Sequence, residues 1–139
     1  MKIFLATSAA ITQDYRAFVE QVLAVLRDND NEVYCELEQT GWQPIDEPLE
    51  VGLRRNLDGL NAADMIIALV AGLPSAEVEF MIGYAVARDK RIVLAKHIDD
   101  EIVPINKAVI ANGQMTLVQF DTMEALAAQL TITVNAPAD

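Results

Sequence analysis

Two carboxylates and a hydroxyl lie close together in the middle of the chain, in the order Ser75, Glu77 and Glu79. Ser75 stands where a helix N-cap belongs, and the two acids fall in the first turns of the helix that follows, where negative charge complements the helix dipole. Carboxylates can also act in catalysis, as nucleophiles or as general acids and bases. The spacing alone therefore leaves a structural and a chemical interpretation open.

The other reactive side chains are too isolated to indicate a site. His97 is the only histidine and Cys35 the only thiol, and their separation lacks ligand spacing, so no metal site is expected. The acidic run at 99–101 is typical of a solvent-exposed loop. A serine-nucleophile triad would have to use His97, and no G-x-S-x-G motif accompanies it. Neither G-x-G-x-x-G nor G-x-x-x-x-G-K-[ST] occurs, which excludes the dinucleotide and P-loop fingerprints, and no cofactor is expected.

The composition restricts the class of partner. The chain has 139 residues, with 10 Lys and Arg against 21 Asp and Glu, so its formal net charge is −11. Such a surface repels phosphate backbones and anionic lipids, and neither nucleic acid nor a membrane is expected as a partner. The lone cysteine permits no intramolecular disulfide, and no apolar run reaches the length of a signal-peptide core or a membrane span. We therefore expect a cytoplasmic protein.

Strand-like apolar runs alternate with helical periodicities along the chain. Short connections between such elements are typical of an α/β protein with a five-stranded parallel sheet. The predicted strands are Ile3–Ala6, Glu32–Leu37, Met65–Val70, Arg91–Ala95 and Met115–Phe120. The predicted helices run from Thr12 to the turn at 28–31, from Leu49 to Ala62, from Ser75 through Val86, from Val103 to Ala111 and from Asp121 to Leu130. Residues 1–130 are expected to form one domain, and 131–139 a loosely held tail or a segment ordered by a partner chain.

Ligands of such sheets bind beyond the carboxyl ends of the strands, near the topological switch point. In the first of the loops concerned, Thr7 and Ser8 are small enough to approach a ligand closely, although they fit a plain loop equally well. In the second, the face of Trp42 could stack on a flat ligand, or Trp42 could instead cover the sheet edge or pack at a subunit interface. The loops at this edge are Thr7–Thr12, Gln39–Pro48, Ala71–Ser75 and Lys96–Asn106.

A longer pattern extends on both sides of Ser75. Its parts are Arg55-Asn56-Leu57-Asp58-Gly59-Leu60, Ala63-Asp64 before an apolar strand, the segment from Leu73 to Glu79, Gly83-Tyr84-Ala85, Asp89-Lys90-Arg91-Ile92-Val93-Leu94 and Pro104-Ile105-Asn106. This order, over roughly residues 1–120, resembles the nucleoside 2-deoxyribosyltransferase family, including its relatives that hydrolyse deoxynucleoside monophosphates. The resemblance implies a flavodoxin-like, Rossmann-like three-layer sandwich with strand order 2-1-3-4-5.

The resemblance also implies a reaction, with one departure at its centre. In that family a glutamate two residues before the glycine of the Gly-Tyr-Ala stretch attacks the anomeric carbon, and an acceptor base or water resolves the glycosyl-enzyme. Here that nucleophile position is Met81, whose thioether cannot replace a carboxylate. Glu77 stands where the family usually keeps a glycine.

Further positions follow from the same resemblance. Ser75 matches a serine of the monophosphate-hydrolysing relatives, and a hydroxyl with free N–H groups at a helix start suits phosphate. Asn56 falls where the transferases carry an aspartate that binds and protonates the base, and Asp58 is expected near the base or sugar. Asn106 matches an asparagine contributed by the neighbouring subunit, which implies a homo-oligomer.

Helix geometry distinguishes the two acids as substitutes for the missing nucleophile. Glu77 precedes Met81 by four residues, so it lies on nearly the same face, about 5.4 Å nearer the helix N-terminus. Glu79 is rotated by about 200° from Met81. Glu77 is the better candidate, although both acids also fit a dipole-complementing role and Met81 fits a core gap-filler.

Three functions are compatible with these residues. The first is transfer or hydrolysis of the N-glycosidic bond of a (deoxy)nucleoside or nucleoside monophosphate, with Glu77 or Glu79 as the nucleophile. The second is a catalytically impaired homologue that binds nucleotides as a sensor or partner subunit, because the nucleophile position holds Met81. The third is a structural oligomer with a closed pocket.

Overall fold

The computed structural model describes residues 1–8, 12–72 and 75–137. Within them, all the strands pair in parallel in one sheet of order β2-β1-β3-β4-β5. The strands are β1 (Lys2–Ala6), β2 (Glu32–Cys35), β3 (Met65–Val70), β4 (Arg91–His97) and β5 (Met115–Phe120). The helices are α1 (Gln13–Asp28), α2 (Glu36–Gln39), α3 (Leu49–Ala62), α4 (Ala76–Ala87), α5 (Pro104–Ala111) and α6 (Met123–Asn135). The expected five-stranded α/β architecture and strand order are confirmed.

Helices cover both faces of the sheet because successive strand residues point to opposite sides. In β1, Ile3 and Leu5 belong to a core formed with α1 and α6. Phe4 and Ala6 belong to a second core formed with α3 and α4, with side chains of α5 packed at its margin. We call these the α1/α6 face and the α3/α4/α5 face. The continuous apolar runs of the central strands follow from this double coverage.

The second strand ends two residues earlier than the sequence predicts. β2 stops at Cys35, and the helical turn α2 follows, whereas alternation predicted a strand to Leu37. The turn places Leu37 in the core of the α1/α6 face, and Arg27 binds the Glu38 carboxylate through both Nη atoms, at 2.9 and 2.6 Å. Burial of Leu37 and this ion pair favour the turn over a longer edge strand.

The last helix continues five residues past the predicted end at Leu130, so the expected tail boundary at 131 lies inside α6. Val134 is only 5% exposed and packs in the α1/α6 core. Arg91 donates to the carbonyl oxygens of Thr133 at 2.6 Å and Ala136 at 3.2 Å. The β-branched run 131–134 has weak helix propensity, which these tertiary contacts override.

Some expectations fall on residues outside the described part of the chain. Positions 9–11 of the first expected loop and 73–74 of the third are among them. In the described ranges, no helix has the length and apolar character to cross a membrane. The same ranges contain no group of three or more His, Cys, Asp or Glu that could hold a metal ion.

Candidate functional site

A cleft of about 610 Å³ opens at the carboxyl ends of β1 and β2 and the start of α4. Its position agrees with the rule that open α/β sheets bind ligands where the strand order reverses, since β1 lies between β2 and β3. The described residues that line it are residues 4–7, Glu36, Leu37, Thr40, 43–45, 47–49, Gly52, Leu53, Asn56, 76–78, Phe80 and Met81. The third alternative, a closed pocket, does not agree with this open cleft.

Met81 forms part of the apolar wall of the cleft. Its side chain is 7% exposed and packs with Val78 and Ile82 in the core of the α3/α4/α5 face. Ser75 caps α4 and its Oγ accepts a hydrogen bond from the Val78 N–H at 3.4 Å. The cap fixes where the helix begins, and therefore which side chains of its first turns reach the cleft.

The two acids of α4 point in different directions. Glu77 is exposed and lines the cleft together with Met81. Glu79 is absent from the lining, and both of its carboxylate oxygens accept from the Nδ2 of Asn106, at 3.1 and 2.9 Å. The difference follows from the two-residue offset between them, which turns the side chains by about 200° on the helix.

Asn106, which the resemblance matches to an asparagine contributed by the neighbouring subunit, is 3% exposed within its own chain. It lies in the first turn of α5, whose inward face meets α4, and its amide satisfies Glu79 across this contact. In the present chain Asn106 joins α4 to α5.

Asn56 is the centre of a polar network at the other wall of the cleft. Its side chain is 8% exposed, its Nδ2 donates to Glu36 Oε2 at 2.6 Å, and its Oδ1 accepts from the Tyr34 hydroxyl at 3.2 Å. Tyr34 stacks on Phe4 with ring centroids 5.2 Å apart. These contacts fix the orientation of the amide and hold one Glu36 oxygen, so that Glu36 presents an ordered carboxylate at the end of β2.

Gly59 of α3 lies close to the Tyr34 ring. A Cβ added at Gly59 would lie 3.1 Å from the Tyr34 ring, closer than the usual contact between such atoms. The absence of a side chain at Gly59 therefore lets α3 approach β2 closely enough for Asn56 and Glu36 to meet.

Arg55 extends the network behind the cleft wall. Its Nη2 and Nη1 donate to the two Glu47 oxygens at 2.6 and 3.1 Å, and Nη2 lies 3.8 Å from Glu36 Oε1. Hydrogen bonding to Arg55 lowers the pKa of Glu47 below its usual value and raises that of Arg55. The two terminal nitrogens make a bidentate, charge-assisted contact with Glu47. Arg55 Nε is buried and has no hydrogen-bond partner among the described residues.

Besides Ser75, Glu79 and Asn106, three more residues predicted for the site are absent from the cleft lining. Asp58 lines a separate depression on the outer side of α3, with Arg54 and Glu50. Trp42 packs against the α1/α6 core, with the Arg16 guanidinium 5.1 Å from its ring centroid. Of the pair after the first strand, Thr7 lines the cleft, whereas Ser8 is absent from the lining and its N–H donates to the Tyr15 hydroxyl at 3.0 Å. Trp42 therefore packs against the core of its own chain and is absent from the cleft lining.

Glu36 and Glu47 also line the cleft, although no sequence pattern pointed to them. Glu36 was assigned to the interior of the second strand, so the rule that functional side chains follow strand ends passed over it. Glu47 lay in the loop already singled out, between two prolines, but nothing in its spacing linked it to Arg55. A strand end placed at Cys35 would have brought Glu36 to the same edge as Thr7.

Comparison with known proteins agrees with this geometry. The profile of the family described as nucleoside 2-deoxyribosyltransferase matches residues 3–133. The fold is similar to that of a CMP N-glycosidase from Clostridium botulinum, with a TM-score of 0.77, 16% identity, and coverage of 96% of this chain and 99% of that chain. It is also similar to a 2-deoxyribosyltransferase from Bacillus psychrosaccharolyticus, with a TM-score of 0.69, 15% identity, and coverage of 91% and 90%.

A further solved structure, a 2-deoxyribosyltransferase from Leishmania mexicana, gives a TM-score of 0.62 at 21% identity, with 94% of this chain and 97% of that chain covered. A comparison with curated protein sequences gave no match. At these identities the structural likenesses establish the fold, and the family is established by the profile.

Proposed function

We propose, since the chain belongs to the nucleoside 2-deoxyribosyltransferase family, that its cleft transfers or hydrolyses the N-glycosidic bond of a nucleoside or nucleotide. Glu77 is the proposed nucleophile. The observation that carries this assignment is that Glu77 lines the cleft beside Met81, while the Glu79 carboxylate is bound to Asn106. The solved neighbours, an N-glycosidase and two transferases, support the same class of reaction.

The reaction needs one carboxylate at the anomeric carbon. An oxygen of Glu77 forms a bond to that carbon as the bond to the base nitrogen breaks, and the base leaves with the bonding electron pair and takes up a proton. A second base or a water then attacks the same carbon and releases the carboxylate. Transfer and hydrolysis differ only in this second step.

The position of Glu77 determines where the sugar must lie. Because Glu77 is one helical turn, about 5.4 Å, nearer the N-terminus of α4 than Met81, the anomeric carbon must lie nearer that end of the helix than a carboxylate at Met81 would require. Asn56 and Glu36 then line the wall across the cleft, where polar groups of the substrate can find fixed partners.

The first experiment measures base release and exchange. Purified protein is incubated with deoxynucleosides and their monophosphates, with and without a second base, and the products are separated by chromatography. Glu77→Gln should abolish activity, because an amide is a poor nucleophile, whereas Glu79→Gln should keep most of it. Activity that survives Glu77→Gln would remove Glu77 from the mechanism.

A second candidate function is nucleotide binding without turnover, as a sensor or partner subunit. The observation that favours it is the apolar Met81, which is 7% exposed at the nucleophile position of the family. This candidate predicts a ligand-induced rise in melting temperature with no change in any substrate. Absence of both turnover and a thermal shift would contradict both candidates.

Met81→Glu distinguishes the two functions further. A carboxylate at this position restores the nucleophile of the family, so a binder should gain activity and an enzyme that uses Glu77 should gain a second route. The measurement is the rate of base release by protein shown to be folded by circular dichroism. Unchanged turnover in a folded variant would argue against the placement of the sugar beside α4.

We also expect a homo-oligomer. Ile45, Leu49, Leu53 and Phe80 line the cleft and are 43–91% exposed, an amount of apolar surface that a partner subunit can cover. Light scattering coupled to size-exclusion chromatography measures the mass, and a monomer at micromolar concentration would contradict the expectation.

A further inference from the structure

We propose that Glu47 determines specificity by keeping Arg55 from anionic ligands, so that the cleft binds uncharged nucleosides in preference to their 5′-monophosphates. The inference rests on the proposed function and names the substrate class of the same site.

The described lining of the cleft carries negative charge alone. Glu36, Glu47 and Glu77 line it, and none of the lining residues in the described part of the chain is Lys, Arg or His. Positions 9–11 and 73–74, which lie outside the described residues, are Ala, Ala, Ile and Leu, Pro, and none of these side chains is charged. A phosphate that enters this cleft therefore meets carboxylates, on a chain whose net charge is −11.

The nearby cation is already in use. Arg55 lines the outer depression on α3, and Glu36 and Glu47, which line the cleft, both lie within 4.0 Å of its Nη2, at 3.8 and 2.6 Å. Glu47 occupies both terminal nitrogens of the guanidinium. Arg55 is thus absent from the cleft lining and is paired with two carboxylates that belong to it, which leaves one negative charge in excess of the cation.

The local backbone favours this arrangement. A Cβ added at Gly52 would lie 3.2 Å from Glu47 Oε1 and 3.7 Å from Arg55 Nη2, so the bare helix surface at Gly52 leaves room for the ion pair. The Arg55 and Glu47 side chains are 28% and 22% exposed, which limits competition from water.

The N-terminus of α4 does not offset the repulsion between the cleft carboxylates and a phosphate. Free N–H groups and the dipole at a helix N-terminus favour a bound anion, but Glu77 and Glu79 already place carboxylates in this first turn, and Ser75 Oγ accepts from Val78 N–H. To bind a phosphate, Arg55 would have to leave Glu47 and expose two carboxylates to the incoming dianion. Repulsion at this range corresponds to roughly tenfold or more in affinity at moderate ionic strength.

The test compares dissociation constants for matched ligands. Calorimetry gives the Kd of each common deoxynucleoside and ribonucleoside and of its 5′-monophosphate, with chromatography to confirm that the ligand stays intact. Wild-type protein should bind the nucleoside about tenfold more tightly or better. Glu47→Gln should lower the ratio of the monophosphate Kd to the nucleoside Kd severalfold by tightening monophosphate binding, because Arg55 becomes available. Glu50→Gln removes the same charge from an exposed position outside the cleft lining and should leave the ratio unchanged.

A double variant separates the freed cation from the loss of an acid. Glu47→Gln combined with Arg55→Gln should lose most of the gain in monophosphate affinity, since the guanidinium is gone. Arg55→Gln alone should widen the wild-type ratio, and it tests the proposal even if Glu47→Gln fails to fold. A ratio narrowed by Arg55→Gln would overturn the proposal, as would a folded Glu47→Gln variant with an unchanged ratio.

The result also separates this inference from the function on which it rests. Wild-type protein that binds or cleaves monophosphates as well as nucleosides would overturn the charge selectivity and leave the glycosidic function in place. Wild-type protein that neither binds nor cleaves any ligand of either class would overturn the proposed function itself.

Discussion

The two faces of the sheet differ in what they bury. On the α1/α6 face the described core is built from apolar side chains and the Cys35 thiol. The three buried polar or charged side chains of the described residues lie toward the α3/α4/α5 face: Asn56 on α3, Asn106 on α5, and Lys96, which alternates in β4 with Val93 and Ala95 of the opposite core. The α3/α4/α5 face therefore combines an apolar core with buried polar side chains, one of which, Asn56, lines the cleft.

The largest expected effect comes from a substitution in the core of the α1/α6 face. Leu26 is fully buried between α1 and the sheet, so Leu26→Ala should lower the free energy of unfolding by roughly 2–5 kcal/mol through lost burial and a cavity. Urea denaturation measures this loss, and Gln21→Ala, at an exposed position of the same helix, is the matched control. Ligand affinity of the folded protein should stay unchanged, and a large drop in affinity would break the division between the faces.

A smaller effect on stability is expected from a substitution on the α3/α4/α5 face. Asn56→Ala leaves the Tyr34 hydroxyl and the Glu36 carboxylate without their partner, which should cost about 1–3 kcal/mol of unfolding free energy. Unlike Leu26→Ala, it should also weaken ligand binding, because Glu36 loses the contact that orders it. Calorimetric titration measures the affinity and urea denaturation the stability, and Asn112→Ala, at an exposed asparagine, is the control in both. Full ligand affinity in a destabilised Asn56→Ala protein would show that the network serves packing alone.

The smallest effect concerns the ion pair between Arg27 of α1 and Glu38 of α2. Arg27 lowers the pKa of Glu38 below its usual 4.5, so the contribution of the pair to stability is present above that value and is lost as the pH falls through the lowered pKa. The side chains are 43% and 35% exposed, so solvent screening limits the contribution to about 0–1 kcal/mol. Urea denaturation at successively lower pH should show the wild-type advantage over Glu38→Gln shrinking as the Glu38 carboxylate of the folded protein takes up a proton. An advantage that grows as the pH falls would contradict the assignment.

The arrangement of the strands could be predicted because it depends on patterns that are local in sequence. The run Met65–Val70 has apolar residues on both faces, and this continuous pattern indicated a strand covered on both sides. The start of α4 was equally local, since Ser75 and the acids after it are cap and first-turn residues. Helix periodicity also separated Glu77 from Glu79 correctly, because both lie in one undistorted helix.

The errors arose where distant contacts outweigh local preference. Alternation favoured a strand through Leu37, but its burial against α1 and α6 requires a helical turn. Weak helix propensity suggested an end at Leu130, but Val134 packs into the core and prolongs the helix. The contact of Asn106 with Glu79 likewise could not be predicted from its motif, because it depends on how α4 and α5 meet. Glu36 and Glu47 were missed in the cleft lining for the same reason, since their positions depend on contacts with α3.

The contacts of Arg91 bear on how the protein can be attached to a surface. Arg91 begins β4, at the edge of the sheet opposite the cleft, and it fixes the last turn of α6 there. A reactive handle introduced by Ala136→Cys would therefore project away from the cleft. Burial raises the pKa of the Cys35 thiol, so maleimide chemistry would select the introduced cysteine. Beads or sensor chips loaded in this way would present every molecule in one orientation, with the cleft open to solution.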